Sequence, residues 1–363
     1  MTTPKRALIA AGGTGGHIFP ARAAAQELVS RGWQVRLVTD ARGMKHTQGF
    51  PADTIDQIRA ASPVTKNPVK LVRAWVELLS GLMSCRRIIK TWKPEVVAGF
   101  GGYPAFPALM AARQKNLPFA IHEQNAVLGR VNRIFARDAG FIASGFERLD
   151  RAPKKARRLI TGNPVRAEFI SARAKPFPDM EGPLRIFVLG GSLGARVLSE
   201  TVPAALAELP EWLKSRLEVA QQTREESLAM AQDIYQLAGI KAECAPFFND
   251  VADRLSASHI VIARAGASSV SEIACVGRPA IFVPLAIAAD DHQTANAEGL
   301  VEAGAADSIP EHQFSAEALA ALLEVRLANH AELTGRAAKA RSLGRPDAGS
   351  LFADALISLE QGH

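Results

Sequence analysis

The chain has 363 residues, 48% hydrophobic and 22% charged, with a formal charge of +7. This composition fits a soluble or membrane-peripheral protein of two domains with substantial cores. The positive balance suits phosphates or an anionic membrane surface; aromatics at 6%, with no stacking motif among basic tracts, argue against nucleic acid.

In chain order, the apolar pattern predicts strands at 6–12, 33–39, 95–100, 118–122 and 140–144. Most are continuous apolar runs, as in a parallel sheet covered on both faces. Helices are expected at 19–31, 69–91, 104–115 and 129–136, with Pro20 and Pro104 in tolerant first turns. Gly162-Asn163-Pro164 and Lys175 to Asp179 then interrupt the pattern. The alternation resumes with strands at 184–190, 217–221, 241–245, 259–263 and 279–284. Its helices fall near 194–208, 224–238, 268–276, 291–303, 315–328 and 331–342. Leu351, Phe352, Ala355, Leu356 and Leu359 form a final amphipathic helix. The fold class is α/β: two Rossmann-like, doubly wound parallel-sheet domains facing across a cleft. We divide them at 1–163 and 164–344, with the helix of 345–363 packing back on the first.

Cys85, Cys244 and Cys275 are odd in number and far apart, so neither a metal spacing nor a disulfide framework follows. This fits a reducing compartment without a catalytic cysteine. The apolar run after Lys5-Arg6 is too short for a signal-peptide core, and Pro279 to Ala289 is too short to span a bilayer.

One local pattern occurs twice. Ala7 to Ala11 leads into Gly12-Gly13-Thr14-Gly15-Gly16-His17, and Ile186 to Leu189 leads into Gly190-Gly191-Ser192-Leu193-Gly194-Ala195. Glycines let a backbone approach an anion, and the following helix start offers free N–H groups and a positive dipole. Neither copy completes G-x-G-x-x-G, so a dinucleotide is not expected, although Asp40 ends the second strand as a ribose-binding acid would. His17 either caps its helix or stands beside a phosphate or an acceptor hydroxyl. Helix-start N–H groups would then lower its pKa and favour the basic form.

Gly99-Phe100-Gly101-Gly102-Tyr103 ends another first-domain strand and reads as a second anion-binding loop. If both loops share a domain, that domain could hold a diphosphate and the other a nucleotide. His122-Glu123-Gln124-Asn125 follows apolar Phe119-Ala120-Ile121 and is poor core material. Glu123 either tunes His122 or His17 or belongs to a buried network.

In the second half, Arg264 to Glu272 opens a helix with small residues. Glu272 is placed to accept both ribose hydroxyls, or else forms a capping box with Ser269. Asp290, Asp291, His292, Gln293 and Asn296 offer hydrogen bonds to a sugar; no D-x-D metal motif occurs. Helix 69–91 mixes Val69, Leu71, Val72, Trp75, Leu78, Leu79, Leu82, Met83 and Ile88 with Lys66, Lys70, Arg73, Arg86, Arg87 and Lys90. It is either an ordinary core-and-solvent helix or an apolar patch with a basic rim that docks on anionic lipid.

Taken together, Gly12 to His17, Gly101 to Tyr103, His122 to Asn125, Gly162 to Arg166, Gly190 to Ala195, Arg264 to Ala267 with Ser271-Glu272, and Asp291 to Gln293 with Asn296-Ala297 resemble the MurG family of bacterial glycosyltransferases. The likeness spans roughly residues 6–345; each glycine motif is weak, but the ordered set is specific. It implies a GT-B fold and an inverting transfer of GlcNAc from UDP-GlcNAc to the C4 hydroxyl of the muramyl sugar of lipid I, giving lipid II with a β-1,4 link. It implies no cofactor and no metal. It places the chain peripherally on the cytoplasmic face of the bacterial inner membrane, with division or elongation proteins as further partners.

By motif, the resemblance assigns Thr14, Gly15, Gly16 and Asn125 to the donor sugar, and Arg166 and Ser192 to the UDP phosphates. Phe248 lines the uracil pocket with Ala267, Ser268, Ser269, Val270 and Ser271. Glu272 holds the ribose, and His292 or Gln293 the sugar hydroxyls. Gly101, Gly102 and Tyr103 face the acceptor diphosphate. The base is His17 or Glu123. Rival readings are a GT-B transferase with another lipid acceptor, a UDP-sugar epimerase and a non-catalytic nucleotide-binding scaffold.

Overall fold

The computed structural model describes residues 4–64, 67–191, 194–285 and 291–362. It divides into one unit of Met1–Arg166 with Arg345–His363 and another of Ala167–Gly344. The division therefore falls three residues beyond Asn163.

The first unit contains β1 (Arg6–Ala10), α1 (Gly15–Ser30), β2 (Gln34–Thr39), β3 (Thr54–Gln57), α2 (Pro68–Trp92), β4 (Val96–Gly99) and α3 (Ala105–Gln114). It continues through β5 (Phe119–Glu123), α4 (Arg130–Phe135), β6 (Phe141–Ser144) and β7 (Arg158–Ile160). The second unit contains α5 (Ala167–Ala172), β8 (Leu184–Leu189), α6 (Arg196–Ala207), α7 (Glu211–Lys214), β9 (Leu217–Gln222), α8 (Leu228–Leu237), β10 (Lys241–Ala245) and α9 (Val251–Ala257). After these come β11 (Ile260–Ala263), α10 (Ala267–Val276), β12 (Ala280–Phe282), α11 (His292–Glu302), β13 (Ala306–Ser308), α12 (Ala316–Ala328) and α13 (His330–Leu343). The last helix, α14 (Ala348–Gln361), returns to the first unit, where Phe352 packs against Phe100 and Phe141.

Both sheets are parallel. Their orders are β3-β2-β1-β4-β5-β6-β7 and β10-β9-β8-β11-β12-β13. Two doubly wound parallel sheets are thus what the alternating pattern predicts. Central strands such as Ala7-Leu8-Ile9-Ala10 and Ile260 to Ala263 are wholly buried, which explains their unbroken apolar sequences. The strands without a sequence prediction, β3, β7 and β13, lie at sheet edges and are only partly buried. An edge strand needs little apolar sequence, so its pattern is weak.

Each sheet reverses its winding once: between β1 and β4 in the first unit, and between β8 and β11 in the second. A crevice opens beyond the strand C-termini at such a point, and ligands of open α/β sheets bind there. Both glycine turns of the first unit, and in the second unit the Gly190 turn and the Arg264–Gly266 segment, leave these strands.

Candidate functional site

In the first unit the two glycine turns pack directly on one another. Gly102 has φ +73°, and a methyl group there would lie 2.6 Å from the Gly12 carbonyl oxygen; one on Gly12 would overlap Pro104. Gly13, at φ +87°, donates its N–H to Asp40 Oδ1 at 3.0 Å, and Gly43 N–H donates to the same oxygen at 2.9 Å. Arg42 pairs with the other oxygen at 3.2 Å. Asp40 thus holds the turn, which removes the ribose-binding role its position suggested.

Thr14 is the N-cap of α1 and makes no side-chain cap bond; Thr14 and Gly16 are exposed, while Gly15 is buried against Phe19. The first turn of α1 carries no acidic residue, so its positive end is not offset by its own side chains. His17 is partly buried in that turn, its Nδ1 3.2 Å from Gln124 Oε1. The Nδ1 edge of the ring lies against Gly101, where an added methyl would be 3.2 Å away. Tyr103 is partly buried in the same loop. Arg166 closes this cluster, its guanidinium 5.0 Å from the centre of the Phe19 ring.

Glu123 is buried at the end of β5 and has four donors around its carboxylate. Asn125 N and Nδ2 donate to Oε1 at 3.1 and 3.3 Å; Gly129 N and Asn132 Nδ2 donate to Oε2, both at 2.8 Å. A carboxylate so engaged has no lone pair directed at an acceptor hydroxyl. Of the two readings of Glu123, these four donors fit the buried network. Asn132, which the sequence analysis did not single out, also donates from Nδ2 to the His122 carbonyl at 3.2 Å. It is a buried polar residue on the inner face of a short helix, and that mismatch was the available signal.

His122 lies fully buried beneath these loops. Its ring stacks on Phe100 with centroids 5.1 Å apart, and Nε2–H donates to the Gly162 carbonyl at 3.3 Å. Burial pushes its pKa down to about 4, so it is neutral. It is a structural layer under the turns.

The second unit repeats the device with an amide. Gln222, at the end of β9, accepts from Gly190 N at 3.1 Å and donates to the Gly191 and Pro246 carbonyls at 3.1 and 3.2 Å. It stands where Asp40 stands in the first unit, on the strand beside the glycine turn. Ser192, assigned to phosphate by resemblance, lies outside the described residues, as do Leu193, Asp290 and Lys66.

Gly266 is the N-cap of α10, so Ser269 sits inside the first turn and the capping box with Glu272 is not formed. Ala267 and Val270 are buried; Ser268, Ser269, Ser271 and Glu272 line the partly exposed side of the helix start. The first turn has no acid, and the Ser268 hydroxyl is buried with no hydrogen-bond partner among the described residues. Asn296 is buried and ties α11 to this turn, Nδ2 donating to the Ala265 carbonyl at 3.1 Å. His292 and Gln293 begin α11, and Gln293 Oε1 accepts from Leu285 N at 2.9 Å. The side chain of Phe248 is buried against Phe187 with Arg254 stacked on it, whereas the neighbouring Phe247 is 69% exposed. Burial pushes the thiols of Cys85 and Cys275 up to about 12 and about 11, so neither is a ready nucleophile.

The segments match known families in both units. Residues 7–143 match the glycosyltransferase family 28 N-terminal domain, and 185–351 its C-terminal domain. The chain is 64% identical to the UDP-N-acetylglucosamine–N-acetylmuramyl-(pentapeptide) pyrophosphoryl-undecaprenol N-acetylglucosamine transferase of Maricaulis maris, with 99% of each chain covered. It is 46% identical to the protein of that name from Caulobacter vibrioides, over 96% of this chain and 98% of the relative. Among solved structures, MurG of Acinetobacter baumannii is similar at a TM-score of 0.80 and 34% identity, with 98% of this chain and 100% of that one covered. A UDP-GlcNAc 2-epimerase from Neisseria meningitidis shares the fold alone, with a TM-score of 0.70 at 14% identity, over 97% of this chain and 100% of its own. The architecture is GT-B, and the chain belongs to the MurG group of glycosyltransferase family 28.

Proposed function

We propose that this chain transfers GlcNAc from UDP-GlcNAc to the C4 hydroxyl of the muramyl sugar of lipid I, forming lipid II in peptidoglycan synthesis. The 64% identity to the Maricaulis maris transferase, end to end, carries this reading.

The resemblance to the MurG family supports the following assignment of residues. The acceptor C4 oxygen forms a bond to C1 of GlcNAc as the bond from C1 to the UDP β-phosphate oxygen breaks. His17 takes the hydroxyl proton, a contribution on the order of 10²–10⁴-fold. Thr14, Gly15, Gly16 and Asn125 approach the donor sugar. The packed glycine turns at the positive end of α1, with Gly101, Gly102 and Tyr103, receive the acceptor diphosphate. In the second unit, the start of α10 from Ala267 to Ser271 takes the uridine, with Phe248 beside it. Glu272 takes the ribose, and His292 or Gln293 the sugar hydroxyls. Arg166 and Ser192 offset charge on the departing UDP.

Among the described residues no helix is long and apolar enough to cross a membrane. We assign membrane contact to α2, which has two apolar faces. Ala74, Leu78, Gly81, Cys85 and Ile88 are buried, while Val69, Val72, Val76, Leu79 and Met83 recur along the opposite face and are exposed, Val69 by 75% and Met83 by 70%. Lys70, Arg73, Arg86, Arg87 and Lys90 are exposed on the same helix. An apolar stripe with basic neighbours is suited to a surface of anionic lipid, which supports peripheral attachment; the cytoplasmic face of the inner membrane is part of the same proposal.

The test is incubation with UDP-GlcNAc and a lipid I analogue. UDP release that requires the acceptor is the expected result; conversion of UDP-GlcNAc without it would identify an epimerase and overturn the reading. His17→Ala is expected to lower kcat by 10²–10⁴-fold with little change in KM for UDP-GlcNAc. An unchanged kcat would remove His17 from the chemistry.

A further inference from the structure

Gln124 has a place in this geometry that the transfer reading does not by itself require. It is buried at the end of β5, and its side chain joins three loops at the point where the first sheet reverses. Nε2 donates to the Phe100 carbonyl at 2.8 Å, and Phe100 N in turn donates to the Ala10 carbonyl of β1 at 2.8 Å. The Gln124 main-chain carbonyl accepts from Asn163 Nδ2 at 2.9 Å. The side-chain oxygen then faces His17 Nδ1 at 3.2 Å.

These contacts admit one orientation of the amide. Turned over, its oxygen would meet the Phe100 carbonyl oxygen at hydrogen-bond distance, acceptor against acceptor, in a buried site. With the NH₂ end so fixed, Oε1 is the atom presented to His17, and an amide oxygen only accepts. The hydrogen of the neutral imidazole must therefore sit on Nδ1, leaving the lone pair on Nε2.

We propose that Gln124 is a positioning residue that locks His17 in the Nδ1–H tautomer, so that Nε2 is the atom that accepts the acceptor's proton. When Nε2 takes that proton, the Nδ1–H···Oε1 bond remains and becomes charge-assisted, so no reorganisation accompanies the transfer. His122 lies close enough to be felt electrostatically by His17, and its burial keeps it uncharged, so no fixed positive charge there opposes the new imidazolium. Gly101 contributes by leaving room for the Nδ1 edge of the ring.

The inference rests on the base reading of His17, and the two are tested separately. Long-range ¹H–¹⁵N correlation spectra of the full chain, labelled at histidine and recorded under alkaline conditions where imidazole is neutral, report the tautomer directly. In the native protein Nδ1 should be protonated and Nε2 bare; a native Nε2–H tautomer overturns the proposal without any variant. Gln124→Met removes the acceptor. It should allow the Nε2–H form to appear and lower kcat with UDP-GlcNAc and a lipid I analogue by about 10–100-fold, with KM for UDP-GlcNAc little changed. Gln124→Glu loses the same bond to the Phe100 carbonyl as Gln124→Met but keeps an oxygen facing Nδ1, so it should retain the Nδ1–H tautomer where Gln124→Met does not; a merely structural role would move both variants alike. If His17→Ala lowers kcat but Gln124→Met changes neither tautomer nor kcat, the tautomer lock fails and the base reading stands. If His17→Ala leaves kcat intact, the base reading itself fails.

Discussion

Glu123→Gln separates a buried network from a catalytic base. The substitution is nearly isosteric, but it replaces one acceptor oxygen by a second pair of donors. With the amide in one orientation its NH₂ meets Gly129 N and Asn132 Nδ2; in the other it meets Asn125 N and Nδ2. Either way two donors lose their acceptor in a buried site, at about 1–3 kcal/mol each. Part of this can be recovered. Asn132 Oδ1 has no hydrogen-bond partner among the described residues, so the Asn132 amide can turn over and accept from the new NH₂. That turn removes its donation to the His122 carbonyl, and the net loss is about 2–4 kcal/mol. For a unit of this size each kcal/mol lowers the midpoint by roughly 2–4 °C, so the first unit should melt roughly 5–15 °C earlier. Calorimetry of the full chain reads this. At 25 °C, where the variant remains folded, kcat should fall by less than about tenfold. A melting temperature unchanged within error, together with a kcat loss on the order of 10²–10⁴-fold, would refute the reasoning and return Glu123 to the role of base.

Gly102→Ala should destabilise by more than the roughly 1–2 kcal/mol of a left-handed alanine, because its methyl would also press on the Gly12 carbonyl; a loss below about 1 kcal/mol in urea titration would show that the two turns do not pack as described. Trp75→Glu should weaken binding to anionic liposomes by about 10–30-fold. The 49%-exposed indole supplies about 1 kcal/mol of burial and the added charge opposes the surface by about another, so equal binding in a sedimentation assay would remove α2 as the docking face. His122 has a folded pKa of about 4 against an ordinary 6.5, so the unfolded chain binds the proton first and stability falls as pH drops from 6.5 towards 4. This amounts to about 3 kcal/mol. His122→Phe should lack that dependence, so its stability deficit against the native chain should narrow over the same interval in denaturant titrations; a constant deficit would show that His122 is not the titrating group.

Much of the fold was legible in the chain because central parallel strands must be apolar on both faces. Ile260 to Ala263 and Phe119 to Ile121 advertise themselves for that reason, while the edge strands β3, β7 and β13 do not. Glycine turns were legible too, since close backbone approach and positive φ leave few other residue types. The sequence by itself therefore determined two doubly wound sheets, the loops from which a site is built, and the ordered motifs of the family.

It did not determine what each polar group in those loops does. Asp40 stands where a ribose acid would and instead binds two N–H groups of the backbone; Glu123 offered itself as a base or as part of a network, and the fold surrounds its carboxylate with four donors. Ser269 and Glu272 had capping-box spacing, yet the N-cap of the helix is Gly266. Hydrogen bonds join residues far apart in the chain, such as His17 with Gln124 and Gln124 with Phe100, and they depend on direction to within tens of degrees. Spacing along a sequence carries no such information. Only the packed loops decide which lone pairs are already taken, and so which nitrogen of His17 faces Gln124.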